Sequence, residues 1–425
     1  MQLYSTGHRK LVELPSKSHR IGIYACGPTV YQRIHVGNAI PFVLSMWLKR
    51  WLVERGYDVL LVENITDVND KIYDAAPGDS ARLAAAASDW YVEDTDLLGL
   101  GRPDVEPKAT ETIPEIVALI AELVASGHAY AVDGDVYFRV AGFPEYGGLS
   151  GQKPDQMRDE EPNPRKEDPR DFALWKGNKP GEDTAWDSPW GRGRPGWHIE
   201  CSAMAEKYLG PSFDIHMGGL DLVFPHHENE IAQSRAAGRE FARIWMHNGM
   251  LEFTGEKMSK SVGNVITLRD AVGEWGRETL LLFFLTGHWR KPLDFSAETM
   301  AQAKAQWATF LNANVHAADR THAGPTWDEF VAVLEDDFNT PDALALMHEW
   351  RRVRNLDLLG DALRLFGLAF AVSEAPAAVE QLARLRVDAR AAGDYAEADR
   401  LRADIEAAGW EVRDEPGGYR LVPKR

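Results

Sequence analysis

Lys257-Met258-Ser259-Lys260-Ser261 puts two ammonium groups into one short run, with Gly255 and Gly263 on either side. Glycine brackets suit a loop that must change shape, and paired lysines suit the charge that grows on a departing pyrophosphate. The plain alternative is a solvated basic turn. His35-Val36-Gly37-Asn38 is a second phosphate-directed set. His35 can donate to phosphate oxygens, Gly37 lets a nucleotide approach the backbone, and a helix start offers unpaired N–H groups and partial positive charge. A four-residue pattern is weak by itself. A third set is soft. The chain has 2 cysteines, Cys26 and Cys201, too few for a disulfide scaffold. They are buried small residues, metal ligands or nucleophiles. Pro225 opens a helical stretch carrying His226, His227 and Glu230. At about 3.6 residues per turn, Glu230 shares a face with His226 and almost as well with His227.

Elements distant in sequence must carry these groups to one place. Ile21-Gly22-Ile23-Tyr24-Ala25 is a short apolar run rich in β-branched and aromatic residues, and reads as a strand. After a loop with Gly27-Pro28, the stretch Asn38 to Arg55 places Phe42, Trp47, Leu48, Trp51 and Leu52 near helical spacing, and Gly56 marks the stop. Val59-Leu60-Leu61-Val62-Glu63-Asn64-Ile65 is the next strand. A strand, helix, strand unit of this length implies parallel pairing through a right-handed crossover. The order recurs at Phe213-Asp214-Ile215-His216, at His226 to Arg235, and at Ala242 to Met246. Between the halves, helices are expected from about Ser80 to His128. Gly151 to Gly193, rich in Pro, Gly, Asp and Lys, reads as an irregular insertion.

The expected fold is therefore α/β: a doubly wound, Rossmann-like parallel sheet with an insertion. An all-helical region follows from Ala301 to about Leu368, then a small tail that is helical over Glu374 to Gly409. Ligands bind such sheets at the strand C-termini, where the loop carrying His35 falls.

Composition narrows the class. The 425 residues are 44% hydrophobic and 26% charged, ordinary for a globular chain. No apolar run reaches the roughly 18 residues of a membrane span. Met1-Gln2-Leu3-Tyr4-Ser5 lacks the charged-then-apolar pattern of a signal peptide, so a cytoplasmic protein is expected. The net charge of -18 argues against broad nucleic-acid binding, but phosphate contacts need only local positive charge.

Taken together, the His35 and Lys257 motifs resemble in order and separation the signature pair of class I aminoacyl-tRNA synthetases. Longer blocks narrow the resemblance to the cysteinyl-tRNA synthetases. They are Tyr24-Ala25-Cys26-Gly27-Pro28-Thr29-Val30-Tyr31, Asn64-Ile65-Thr66-Asp67, Phe172-Ala173-Leu174-Trp175-Lys176, Gly196-Trp197-His198-Ile199-Glu200-Cys201-Ser202 and Phe224-Pro225-His226-His227-Glu228-Asn229-Glu230. The resemblance runs from the N-terminus to about Thr340 and returns in the tail at Asp394 to Arg402. The helical stretch between is abbreviated, which leaves the anticodon contacts open.

The resemblance implies an ATP-dependent ligase that activates L-cysteine as its adenylate and passes it to tRNA(Cys). It implies one zinc per chain on Cys26, Cys201, His226 and Glu230, and magnesium with ATP. Two thiolates, an imidazole and a carboxylate suit zinc. The alternatives are a closed structural zinc site, or two buried cysteines with no metal. It implies catalytic roles for His35, Asn38, Lys257 and Lys260. ATP binding would add Gly37, Gly218, Gly219 and Asp221, and cysteine binding would use Thr66, Trp197, His198 and His216. A pocket that measures size rejects serine poorly, whereas zinc prefers a thiolate.

On this reading residues 1–110 and 194–250 are the two catalytic halves, and 111–193 the connective insertion. Residues 251–300 form the lysine-loop region, 301–372 a short helical bundle for tRNA, and 373–425 the tail domain. A monomer without membrane contact is expected. The nearest rival is a cysteine ligase of the mycothiol pathway, with the same core but an amino-sugar acceptor. A catalytically silent RNA-binding relative would have no need of the lysines and the metal ligands.

Overall fold

The computed structural model describes residues 1–153, 163–253, 256–257, 266–313, 322–369, 375–415 and 418–423. Lys260, Gly255 and Gly263 lie outside these residues, as does the side chain of Lys257.

The chain opens on an antiparallel hairpin, β1 (Gln2–Ser5) with β2 (Lys10–Glu13). The first half of the main sheet follows as β3 (Ile21–Ala25), α1 (Ala39–Glu54) and β4 (Val59–Glu63). Every residue of β3 is buried. That is the demand on a strand covered on both faces, and it explains an apolar run without alternation. Phe42, Trp47, Leu48, Trp51 and Leu52 are all buried on α1, as their spacing predicts. Helices α2 (Asp70–Ala75), α3 (Ser80–Asp96) and α4 (Ile113–Ala125) lead away from the sheet.

The insertion is more regular than its composition predicts. Strands β5 (Ala129–Val132), β6 (Asp135–Phe138), β7 (Phe172–Gly177) and β8 (Gly193–Pro195) form a four-stranded antiparallel sheet in that order. Thus β7 and the start of β8 fall in the stretch read as irregular. Their partners are distant: Phe172 pairs with Phe138 and Trp175 with Val136. Turn-rich flanks concealed a strand that only long-range pairing stabilises.

The chain returns through α5 (Trp197–Leu209), β9 (Ser212–Gly219), α6 (Glu228–Ala236) and β10 (Phe241–Asn248). The main sheet has the order β10-β9-β3-β4, and all three pairings are parallel. Its two halves meet at β3 and β9, where the direction of winding reverses. This confirms the doubly wound arrangement.

Next, β11 (Leu251–Phe253), β12 (Glu256–Lys257) and β13 (Leu293–Asp294) form a small sheet enclosing α7 (Leu268–Trp275) and α8 (Arg277–Leu285) in sequence. The helical region is α9 (Ala297–Ala313), α10 (Trp327–Glu335), α11 (Thr340–Val353) and α12 (Leu356–Leu365). One hydrophobic core runs from β3 and α1 through Phe310, Phe330 and Trp350. The tail is α13 (Ala377–Ala391), α14 (Tyr395–Ala407) and a hairpin of β14 (Trp410–Glu415) with β15 (Gly418–Pro423). It has a small core of its own, built on Val379, Ala383, Ile405, Trp410 and Val412.

Candidate active site

Cys26 immediately follows β3, and its N–H donates to Met217 O on β9 at 3.0 Å. The two halves of the sheet are therefore joined at the residue that begins the site. Gly27 N–H donates to Asn64 Oδ1 at 3.1 Å. A Cβ on Gly27 would fall 1.7 Å from the Asn64 carbonyl oxygen, so only glycine permits this turn of chain. Asn64 Oδ1 also accepts from Cys201 Sγ at 3.8 Å, and its Nδ2 donates to Thr66 Oγ1 at 3.1 Å.

Around Cys26 lie groups from two other segments. Its Sγ is 3.8 Å from Cys201 Sγ on α5 and 3.7 Å from Glu230 Oε1 on α6. His226 Nε2 is 3.1 Å from that same Glu230 oxygen. One donor atom of each of these four buried residues lies within 4.8 Å of the others. Two thiolates at a Zn–S length of about 2.3 Å stand about 3.8 Å apart across a tetrahedral angle, so the sulfur spacing fits an ion of that kind. Spacing in sequence barely separates His226 from His227. In the fold, His227 Nε2 is farther from Glu230, at 3.9 Å, and its Nδ1 is 2.7 Å from His247 Nε2.

Cys26, His216, His227 and Glu230 satisfy the same distance condition. The set with two sulfurs is the softer and suits zinc better. His216 Nε2 is 2.8 Å from Glu230 Oε2, the arrangement by which an outer residue orients a ligating carboxylate.

Burial favours the uncharged form of Cys26, Glu230 and His226. Burial, then Cys201 and Glu230, pushes the Cys26 thiol well up. Burial pushes Glu230 up to about 7. The same burial lowers His226, and holds His198, His216 and His227 well below the usual histidine range. Neutral imidazoles are the form that binds metal. For two thiolates and a carboxylate to be ionised together in so dry a site, a positive charge would have to lie among them.

Cys26 also lines a cleft of about 320 Å³ with His35, Gly37, Asn38, Trp197, Gly219 and Asp221. His35 is held by the backbone of its two neighbours: Val36 N–H donates to Ile266 O at 3.0 Å, and Leu268 N–H to Ile34 O at 2.9 Å. The segment that resumes after the lysine motif is thus paired to the His35 segment.

Other residues expected in the site are placed differently. Thr66 is buried beneath the Cys26 loop. His216 is buried behind Glu230, its ring stacked 4.4 Å from Trp245. His198 faces a neighbouring cavity of about 220 Å³, which shares Trp197 with the cleft, and its Nδ1 is 2.9 Å from His226 Nδ1. A Cβ on Gly218 would come within 2.7 Å of the His227 ring, so the space that glycine leaves is filled by protein.

Sequence reading assigned no role to Asn64, His247 or Arg33. A signal existed for the first two. Asn64 directly follows the apolar run Val59 to Val62 and Glu63, and His247 follows Ile244-Trp245-Met246, where a buried polar group needs a partner.

Comparisons with known proteins agree along the whole chain. Residues 12–305 match the family described as tRNA synthetases class I (C) catalytic domain. Residues 329–384 match the DALR domain, and 373–420 the cysteinyl-tRNA ligase anticodon binding domain. The cysteine–tRNA ligase of Caldicellulosiruptor saccharolyticus is 40% identical over 99% of this chain and 99% of its own length. That of Parvibaculum lavamentivorans is 43% identical over 98% and 97%. Among solved structures, Mycobacterium tuberculosis methionyl-tRNA synthetase bound by methionyl-adenylate aligns with a TM-score of 0.56 at 15% identity, over 82% of each chain. The Agrobacterium radiobacter K84 agnB2 LeuRS–tRNA–LeuAMS ternary complex aligns with a TM-score of 0.59 at 12% identity, over 81% of this chain and 84% of that one. At such identities these two establish the fold alone.

Proposed function

The chain belongs to the cysteine–tRNA ligase family, and on that premise we propose that it activates L-cysteine with ATP and transfers it to tRNA(Cys). The observation that carries this reading is the double position of Cys26. It is a wall of the cleft that holds His35 and Asn38, and also a member of the four-donor set. A small substrate can then meet the donor set with its sulfur and the nucleotide with its carboxylate.

In the first step a carboxylate oxygen of cysteine bonds to the α-phosphorus of ATP, and the bond to pyrophosphate breaks. His35 and the start of α1 hold phosphate oxygens, and Gly37 and Asn38 keep the backbone open to them. Lys257 and Lys260 stabilise the charge on departing pyrophosphate, and magnesium accompanies ATP. Gly219 and Asp221, with Gly218 behind them, border the nucleoside. Trp197 walls the amino acid and His198 packs against it, while Thr66 and His216 support the site from beneath the Cys26 loop and from behind Glu230. A zinc ion held by Cys26, Cys201, His226 and Glu230 would supply a preference for thiolate over alcohol. In the second step the terminal adenosine of the RNA attacks the adenylate carbonyl, and AMP leaves. Catalysis rests on positioning and charge, so neither cysteine acts as a nucleophile.

Residues 1–110 and 194–250 would do the chemistry, 111–193 and 251–300 would frame the acceptor end, and 301–372 and 373–425 would meet the rest of the RNA. The match of the tail to an anticodon binding domain supports RNA over an amino sugar as acceptor. Among the described residues no helix is long and apolar enough to cross a membrane, and we read the protein as a cytoplasmic monomer. The test is ATP–pyrophosphate exchange with each amino acid in turn, followed by aminoacylation. Exchange driven by cysteine and transfer to tRNA(Cys) are expected. Exchange driven equally by serine, or transfer to an amino sugar alone, would overturn the reading.

A further inference from the structure

The last turn of α3 carries Glu93 and Asp94, at the end of a helix where the backbone dipole disfavours anions. Asp94 is wholly buried, and an unpaired buried carboxylate is costly. Two guanidiniums offset it. Arg33, two residues before His35, donates from Nη1 to Asp94 Oδ1 at 2.6 Å and from Nη2 to Glu93 Oε2 at 2.9 Å. Arg269, in the first turn of α7, donates from Nε to the same Asp94 oxygen at 3.1 Å and from Nη2 to the same Glu93 oxygen at 3.2 Å. Two arginines repel one another, so only the acid pair lets them meet.

The two arginines extend the only backbone link described between these segments. Ile34 and Val36 pair with Leu268 and Ile266 around an isolated bridge from His35 to Thr267. Arg33 and Arg269 flank that bridge, one on each segment. Resting on the proposed activation reaction, we propose that Asp94, with Glu93, is a positioning group that sets His35 against the segment following the lysine motif, acting through Arg33 and Arg269. Asp94 itself does not line the cleft, so it acts on substrate only through the other residues.

The bland alternative is a buried ion cluster that only stabilises the fold. Kinetics per folded active site separate the two. Asp94→Asn keeps the shape and removes the charge. It should lower kcat for cysteine-dependent pyrophosphate exchange roughly 10–100-fold, the scale of a small misplacement, while KM for cysteine changes less than about twofold. Arg269→Ala, a half-exposed side chain outside the cleft, should lower kcat in the same direction. Combined with Asp94→Asn it should add little, because both break one link. If Asp94→Asn does not fold, Arg269→Ala and Glu93→Gln, singly and together, carry the same test. A kcat per titrated site within twofold of wild type in these variants overturns the proposal, as do losses that multiply. Absence of cysteine-dependent exchange in the wild-type protein would instead defeat the proposed function, so the two failures are distinguishable.

Discussion

The Sγ atoms of Cys26 and Cys201 stand 3.8 Å apart, although one follows β3 in the first half of the sheet and the other lies on α5, which leads into the second half. Glu230, on α6, closes the group from a third segment. Of the four donors only His226 and Glu230, one helical turn apart, are neighbours in sequence. The full group forms only when the two halves are wound together, so binding of a metal there would be linked to folding of the site.

Protein purified without chelator should carry one zinc per chain by metal analysis. Glu230→Ala should lower zinc content and weaken cysteine-dependent exchange together, and the wild-type protein should activate serine far more weakly than cysteine. Metal-free protein with full cysteine selectivity would sink this prediction, as would a Cys26–Cys201 disulfide in a reduced preparation.

Lys260→Ala should slow adenylate formation by about 3 kcal/mol, near a hundredfold in rate or more, because the lysine acts on charge that grows in the transition state. Cysteine affinity should stay nearly constant. Pyrophosphate exchange within a few-fold of wild type would mean that the motif is a solvated turn after all.

Glu63, at the end of β4, is buried, and Tyr91 and Ser45 donate to its two oxygens. Burial nevertheless pushes it up to about 7. Unfolded, a glutamate titrates near 4.3. The folded state therefore binds the extra proton between those values, and stability falls as pH rises through that window. The full cost is present above about 7 and absent below about 4. Glu63→Gln should gain stability relative to wild type between pH 5.5 and 8.5, by an amount on the order of 2 kcal/mol. Urea midpoints of both proteins at the two pH values check it. Parallel shifts would show that Glu63 is already ionised in the fold.

Much of the fold is legible in the residues themselves. Ile21 to Ala25 and Val59 to Glu63 lack alternation because parallel strands are covered on both faces. The His226 and Glu230 pair is legible because the helical period places them together. What was hidden depends on contacts between distant positions. Phe172 to Trp175 needed Val136 to Phe138 as a partner. His247 matters because β10 brings it to His227. Asp94 matters because Arg33 and Arg269 converge on one of its oxygens. The β14–β15 hairpin sat behind an Ala-rich helical pattern, with Tyr419 and Leu421 its only described apolar contacts to the tail core from the second strand.

Removal of the tail from Ser373 onward should spare cysteine activation and damage transfer to tRNA(Cys). The tail's core of Val379, Ala383, Ile405, Trp410 and Val412 is separate from the main core, so truncation leaves the sheet and its cleft packed. Within the tail, Arg386 and Arg390 are committed to Asp414, which ties α13 to the hairpin and makes it one unit to delete. Among the described residues that unit also meets the body of the protein at Arg413, whose Nη1 donates to Asn312 Oδ1 at 3.2 Å; an exposed hydrogen bond of this kind contributes little to stability. If the tail reads RNA, pyrophosphate exchange on the truncated protein should stay within about twofold of wild type while aminoacylation falls by orders of magnitude, as expected when an RNA contact remote from the chemistry is lost. Equal loss of both activities would assign the tail a capping role, and full retention of aminoacylation would mean that recognition of the RNA lies elsewhere in the chain.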